Sequence, residues 1–475
     1  MNNRKFLEMS PKQRNFILLS IVMCPFITQI DVGMVSLALP TISTEFGITT
    51  SAATWISSIY IVFISATVLL FGKLGDSYGH VKVLKYGMVV FTIATFFGGL
   101  TSNLTTLLIA RIFQALGASA ALGNTHGTIS RFFPSKERGK AFGINASFVA
   151  LGTLLGPSVG GVILARYSWN MLFYSKVPVC IMILILQFYW LRDDEGKTGE
   201  KIDWRGSCYF FIAIASFFIT LQQSQKLGIT SPLVFGGFVV AIVFFIAFFM
   251  WQKKCKKPLL DLKVFENKLL TTSLYCTVIS YSAISAINLI LPFYFQNVRE
   301  MTASESGLIL TVYPLVLVFV APICGRLSDK IGGEILTLYG LMFSLAGLVG
   351  MIFVTEFTSY WILIVIIVIL GIGSGLFQSP NNLLVMESVP SEKLGIGGSL
   401  NALTRNIGNN IGIALTTIIL YNGISTAVGY HTTSYVESRP DAFILGMRNT
   451  FICMSIISIT AILLTMLRCI KKNRV

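Results

Sequence analysis

The chain has 475 residues, of which 54% are hydrophobic and 12% charged, and its mean hydropathy is +0.75. Soluble proteins carry about 25% charged residues, so this composition excludes a soluble multidomain enzyme and a disordered or fibrous chain, and it places the protein in a bilayer. The 36 Lys and Arg against 21 Asp and Glu give a net charge of +15, which would suggest nucleic acid on a soluble chain and loop topology on a membrane one.

About 20 apolar residues cross a bilayer as a helix. Fourteen stretches qualify, near 16–39, 53–74, 84–101, 104–124, 142–164, 177–191, 206–223, 232–251, 269–292, 306–327, 335–355, 360–380, 395–420 and 447–468. The sixth is short and the thirteenth is rich in Gly and Asn. The basic segment before the first stretch ends in no small-residue cleavage site, so it reads as leading into a retained helix. With the N-terminus inside, 28 of the 36 basic residues fall in cytoplasmic segments and six fall outside, namely Arg166, Lys176, Lys226, Arg299, Arg439 and Arg448. The remaining two, Arg111 and Arg405, lie within spans. That asymmetry predicts cytoplasmic termini, and a charge spread over many short loops excludes nucleic acid as a partner. The eight cysteines show no CxxC pair and the three histidines stand far apart, so no disulfide framework or metal site is indicated.

One pattern recurs. Gly72-Lys73-Leu74-Gly75-Asp76-Ser77-Tyr78-Gly79 ends the second span and Gly325-Arg326-Leu327-Ser328-Asp329-Lys330-Ile331-Gly332 ends the tenth. Both read G-[KR]-L-x-D-x-x-G before another span, which points to two related halves. Glycines allow close helix approach, and each Asp suits a helix N-terminus or a basic neighbour.

With these motifs the sequence resembles the major facilitator superfamily, and within it the drug:proton antiporters with fourteen spans. The resemblance is carried by Asp31 with the following Ala38-Leu39-Pro40, by the loop motif at 72–82 with Gly72, Gly75, Asp76, Gly79 and Lys82, and by Arg111 within Leu108–Gly117. It is also carried by Gly152, Gly156, Pro157, Gly160 and Gly161 in the fifth span, and by Ser379–Asn382 and Arg405–Gly408. The loop motif departs from the family where Ser77, His80 and Val81 replace basic residues, which would weaken a charge latch between helices. The resemblance implies an all-α membrane protein with six-helix bundles at 1–191 and 269–475, separated by cytoplasmic linkers and two added helices in 192–268. It further implies no enzymatic activity, no cofactor beyond a proton as coupling ion, a small-molecule substrate and a monomer in a bacterial cytoplasmic membrane. The added pair, uncharged between Arg205 and Lys253 apart from Lys226, is expected at the lipid-facing periphery.

Asp31 is the leading candidate for chemistry. An acid within a span costs roughly 2.5–3.5 kcal/mol on insertion scales and is functional by default. Burial penalises its charged form and hydration favours it, so a site that alternates between the two can carry a proton. The competing reading is a structural partner of Arg111, which could itself brace backbone or respond to Asp31. The row Gly152, Gly156, Gly160 reads as small-xxx-small packing bent at Pro157; the resemblance implies a seal between the halves. Gln29, Tyr60, Asn145, Tyr281, Asn288, Gln378, Asn381, Asn382, Arg405 and Asn406 are the polar or aromatic residues that could line a substrate cavity, each competing with a helix–helix hydrogen bond. His126 reads as a boundary residue. One intramembrane acid suits neutral, zwitterionic or monocationic substrates better than dications. The two functional expectations are a proton-driven exporter of amphipathic drugs or toxic metabolites and a dedicated transporter of one metabolite.

Overall fold

A computed structural model describes residues 11–48, 50–193, 202–227, 231–301, 303–390, 393–430 and 439–472. The outermost residues of both termini, predicted to be cytoplasmic, lie outside this set. Fourteen helices are long and apolar enough to cross a membrane, matching the predicted number. They are α1 (Pro11–Glu45), α2 (Thr50–Tyr78), α3 (His80–Gly99), α4 (Leu104–Phe132), α5 (Ser135–Leu164), α6 (Asn170–Trp190), α7 (Trp204–Leu227), α8 (Pro232–Lys254), α9 (Lys268–Val298), α10 (Ala303–Leu310 and Val312–Ile331), α11 (Gly333–Ile352), α12 (Tyr360–Glu387), α13 (Leu394–Val428) and α14 (Pro440–Lys472). No strand occurs among the described residues. The Gly- and Asn-rich thirteenth stretch is one continuous helix of 35 residues.

In the first half α1 packs on α5, α3 on α4 and α2 on α4; in the second α9 packs on α13, and α12 on α10 and α11. The halves meet along α5–α10 and α2–α13. Since α10 and α13 occupy in the second half the places of α2 and α5 in the first, these two seams are the same contact made twice. The repeated loop motif is the device that closes both. Asp76 accepts hydrogen bonds from the backbone N–H groups of Gly395 (2.8 Å) and Ile396 (3.1 Å) at the start of α13. Asp329 accepts them from Gly139 (2.8 Å) and Lys140 (3.0 Å) near the start of α5. The Asp76 carboxylate thus caps a helix of the opposite half, where unpaired N–H groups and the positive dipole end favour an anion, and the Asp329 carboxylate holds one a turn further in. The last glycine of each copy, Gly79 (φ 106°) and Gly332 (φ 88°), makes the left-handed turn into the next helix.

The added pair is graded and not uniformly peripheral. Phe210, Ile214 and Phe218 of α7 are buried against α2 and α13, whereas α8 packs on α7 and exposes Leu233, Phe235 and Ile246. Of the two, α8 is the more exposed, with Val234, Ala241, Phe248 and Gln252 its buried residues.

The fifth-helix glycines pack inside one half. A Cβ at Gly152 would lie 2.6 Å from the Phe26 carbonyl, one at Gly156 3.0 Å from Gly33 Cα, and one at Gly160 3.1 Å from Met34 Cα, all in α1. The expected seal between halves lies on another face of α5, where Gly139 meets Gly325, Gly143 meets Ala321 and the Ser147 hydroxyl donates to the Val318 carbonyl at 2.8 Å. A helix with small residues on two faces can join two neighbours at once; the motif marks the inner face.

Candidate functional site

Asp31 stands at the middle of α1 and is fully buried. Arg111 Nη1 donates to its Oδ2 at 2.6 Å, Gln114 Nε2 donates to its Oδ1 at 3.0 Å, and Lys176 Nζ donates to the same Oδ1. The guanidinium is fixed further by bonds from Nη1 to Gln114 Oε1 (2.6 Å) and from Nε to the Ile56 carbonyl (3.1 Å). It also lies 4.1 Å from the Tyr60 ring, and Lys176 Nζ lies 4.5 Å from the Phe173 ring. Gln114 Nε2 donates onward to Thr95 at 2.8 Å. Five helices, α1, α2, α3, α4 and α6, therefore converge on one carboxylate.

Lys176 does not stand in an outside loop as predicted. The helix of the sixth span begins earlier than the apolar run does, breaking at Ser175 between a short turn, Asn170–Tyr174, and the main segment from Lys176 to Trp190. This break sets the lysine inside the bundle with 2% of its surface exposed. Its apolar followers Val177, Pro178 and Val179 were the available signal, because a charge adjoining such a run can belong to it. With Asp31 ionised the cluster carries one surplus positive charge.

A second polar feature lies at the centre, between the halves. His126, Asn145, Ala146, Val149, Tyr281, Gln378, Asn382, Asn401, Ala402 and Arg405 line a cavity with a free core of about 20 Å³, room for little more than a water molecule. The Tyr281 hydroxyl donates to Gln378 Oε1 at 3.2 Å and Asn401 Nδ2 donates to Asn382 Oδ1 at 2.6 Å. Of the ten predicted cavity residues, Asn145, Tyr281, Gln378, Asn382 and Arg405 are here.

The other five stand elsewhere. Tyr60 is the platform under Arg111. Asn381 is buried and bonds α12 to α9 through Thr277 (2.8 Å) and Ser273 (3.3 Å), while Asn406 bonds α13 to Ser65 of α2 at 3.1 Å. Gln29 packs beside Gly152. Asn288 is exposed, two turns along α9 from Tyr281 and on the same face, and does not line the cavity. His126 and Asn401 are cavity residues not foreseen. His126 is no boundary residue because α4 continues to Phe132, and Asn401 stands one turn before Arg405 on the same face of α13, a spacing visible in the sequence.

The side carrying Asp76 and Asp329 is shut. A Cβ at Gly72 would overlap Ser399 Oγ and one at Gly325 would overlap the Gly139 carbonyl, so the helices touch backbone to backbone there. His80, which replaces a basic residue of the usual motif, lies with Nε2 3.4 Å from Asp76 Oδ1 and Nδ1 3.0 Å from Asn124 Oδ1. It thus stands between Asp76 of α2 and Asn124 of α4, both in the first half.

A two-half helical bundle with a polar cavity at the interface of its halves is the architecture of a membrane transporter. The Major Facilitator Superfamily model matches residues 21–413 and 274–473, and the chain belongs to that superfamily. It is 32% identical over 444 residues to the riboflavin transporter RibZ of Clostridioides difficile (strain 630), covering 93% of this chain and 96% of that one. It is 27% identical over 425 residues to the multidrug resistance protein Stp of Mycobacterium tuberculosis (strain CDC 1551 / Oshkosh), covering 89% and 78% respectively. Among solved structures it resembles the proton:xylose symporter XylE, with a TM-score of 0.64, 14% identity and coverage of 93% of this chain and 94% of that chain. The chain is thus a multi-pass membrane transporter and not an enzyme.

Proposed function

We propose that this transporter is a proton-coupled antiporter that exports small amphipathic compounds, drugs or toxic metabolites, across a bacterial cytoplasmic membrane by alternating access. The observation that carries the reading is the buried cluster of Asp31, Arg111 and Lys176. An acid held between two cations in a span is costly to bury and has no part in forming the central cavity, so a purely structural role accounts for it poorly. A proton arriving from outside at this cluster cancels Asp31's charge and weakens its grip on α4 and α6. Loss of that proton inside restores the grip.

The cluster and the cavity share α4. Arg111 and His126 are 15 residues apart, about 22 Å along a helix, so a shift of α4 on α1 reaches both. Similarity to a multidrug resistance protein supports the breadth of substrate. The second reading, a dedicated transporter of one metabolite, is favoured by the greater identity to a riboflavin transporter.

A compound panel that includes riboflavin, applied to a host lacking its own pumps, separates the two. Export of varied toxic compounds should raise growth tolerance to several chemically unrelated members. Movement of riboflavin alone, or inward movement of any compound down an imposed proton gradient, would establish the second reading.

A further inference from the structure

The central cavity has the wrong charge for a cation. Arg405 is the charged residue among its lining, and among the described residues no carboxylate lines the cavity or pairs with Arg405. The buried acids are already engaged: Asp31 by two cations, Asp76 by the N-terminus of α13 in the opposite half, and Asp203 by the Gly206 N–H, Trp251 Nε1 and Gln252 Nε2. A cationic compound would meet a guanidinium with nothing to offset either charge.

Independent of that charge, the cavity is built with unused hydrogen-bonding capacity. His126 and Asn145 are at least nine-tenths buried and line it, yet both ring nitrogens of His126 and Oδ1 of Asn145 lack a partner. Buried polar groups are ordinarily paired, so these atoms point to an occupant. The walls add one aromatic ring, Tyr281, and the apolar Ala146, Val149 and Ala402.

Ligands of such transporters bind between the repeats, and we propose that this cavity selects small aromatic organic anions, with a carboxylate or equally anionic edge held by Arg405. The planar guanidinium offers donors in a fork that matches such an edge. The Gln378 and Asn382 amides and His126 take the remaining polar groups, and Tyr281 stacks on the ring. The assignment rests on the transporter reading above, because the cavity must widen as the halves part. It replaces the neutral-to-monocationic preference that a count of intramembrane acids suggests: that count ignores Arg405.

The test uses full-length protein with its native cysteines replaced, reconstituted in lipid, carrying Ala402→Cys or, should that position perturb folding, Ala146→Cys. Each thiol is exposed to methanethiosulfonates of matched size, one bearing a sulfonate and one a trimethylammonium, with rates normalised to a free thiol. A single positive centre in a low-dielectric cleft concentrates counter-ions by about ten-fold or more, so the sulfonate should react about ten-fold faster. Arg405→Gln should remove that preference and Arg405→Lys should keep it. 2-Naphthoate should protect the thiol and 2-naphthylmethylammonium should not. Equal or reversed rates, no effect of Arg405→Gln, protection by the ammonium compound, or a thiol that neither reagent reaches at either position would overturn the proposal. The labelling needs no proton gradient, so a failure of antiport leaves it intact.

Discussion

At Asp31 the decisive feature is the number of partners. Had Arg111 been alone, replacing the acid would leave one buried cation; with Lys176 present it leaves two. Removing one member of a buried ion pair costs about 3–5 kcal/mol, so Asp31→Asn should lower the melting temperature of the purified protein as well as abolish coupling. Lys176→Met should be milder, since it leaves one acid opposite one cation. The double variant should be more stable than Asp31→Asn alone. Thermal melts of the three variants in detergent check this; a double variant no more stable than Asp31→Asn would show that Lys176 does not share the carboxylate.

The acid and its arginine were legible because charges within apolar runs stand out. Lys176 was not, because its place depends on where α6 breaks, and an apolar-run count cannot see a helix that starts before the run does. Tyr60 was misread for a related reason: an aromatic ring serves a cation in its own half as readily as a ligand.

Among the elements, the glycines divide by partner. Those of the fifth-helix motif join α5 to α1 within one half, whereas Gly72 and Gly325 join the halves at their shut side. Gly72→Val would force a branched side chain into Ser399 and the Gly395 carbonyl, with backbone on one side that cannot move away. The α2–α13 seam should then fail to close, and the population should shift toward the state open on this side. Spin labels at Tyr78 and Ile331, both exposed near the two loops, should report a longer and broader distance than in the unsubstituted protein. An unchanged distance would contradict the seam's role.

The repeat of the loop motif announced two such seams from sequence alone. Which helix receives each Asp did not follow, because the donor N–H groups belong to backbone hundreds of residues away and have no side-chain signature. The polar residues of α12 and α13 show the same limit. Asn381 and Asn382 are neighbours, yet one bonds to α9 and the other faces the cavity, a difference set by a 100° turn of the helix.

For the molecule as a whole, fourteen spans and the paired halves follow from hydropathy and one recurring motif, because a bilayer leaves helices as the way to satisfy so much buried backbone. The closed side comes only from packing between halves, and the isolation of the ion cluster from the cavity only from packing within the first half. Under the proposed proton-coupled function, that separation would make coupling an act of the fold: protonation would change how α1, α4 and α6 hold together, and α4 would carry the change to the cavity. The most direct measurement is proton movement in everted membrane vesicles, their interiors acidified by respiration and reported by a pH-sensitive dye, on addition of a compound to which the protein confers tolerance. The account predicts immediate loss of the interior acidity with the unsubstituted protein and none with Asp31→Asn. Transport of the compound without proton movement, or full proton exchange by the Asp31→Asn variant, would contradict it.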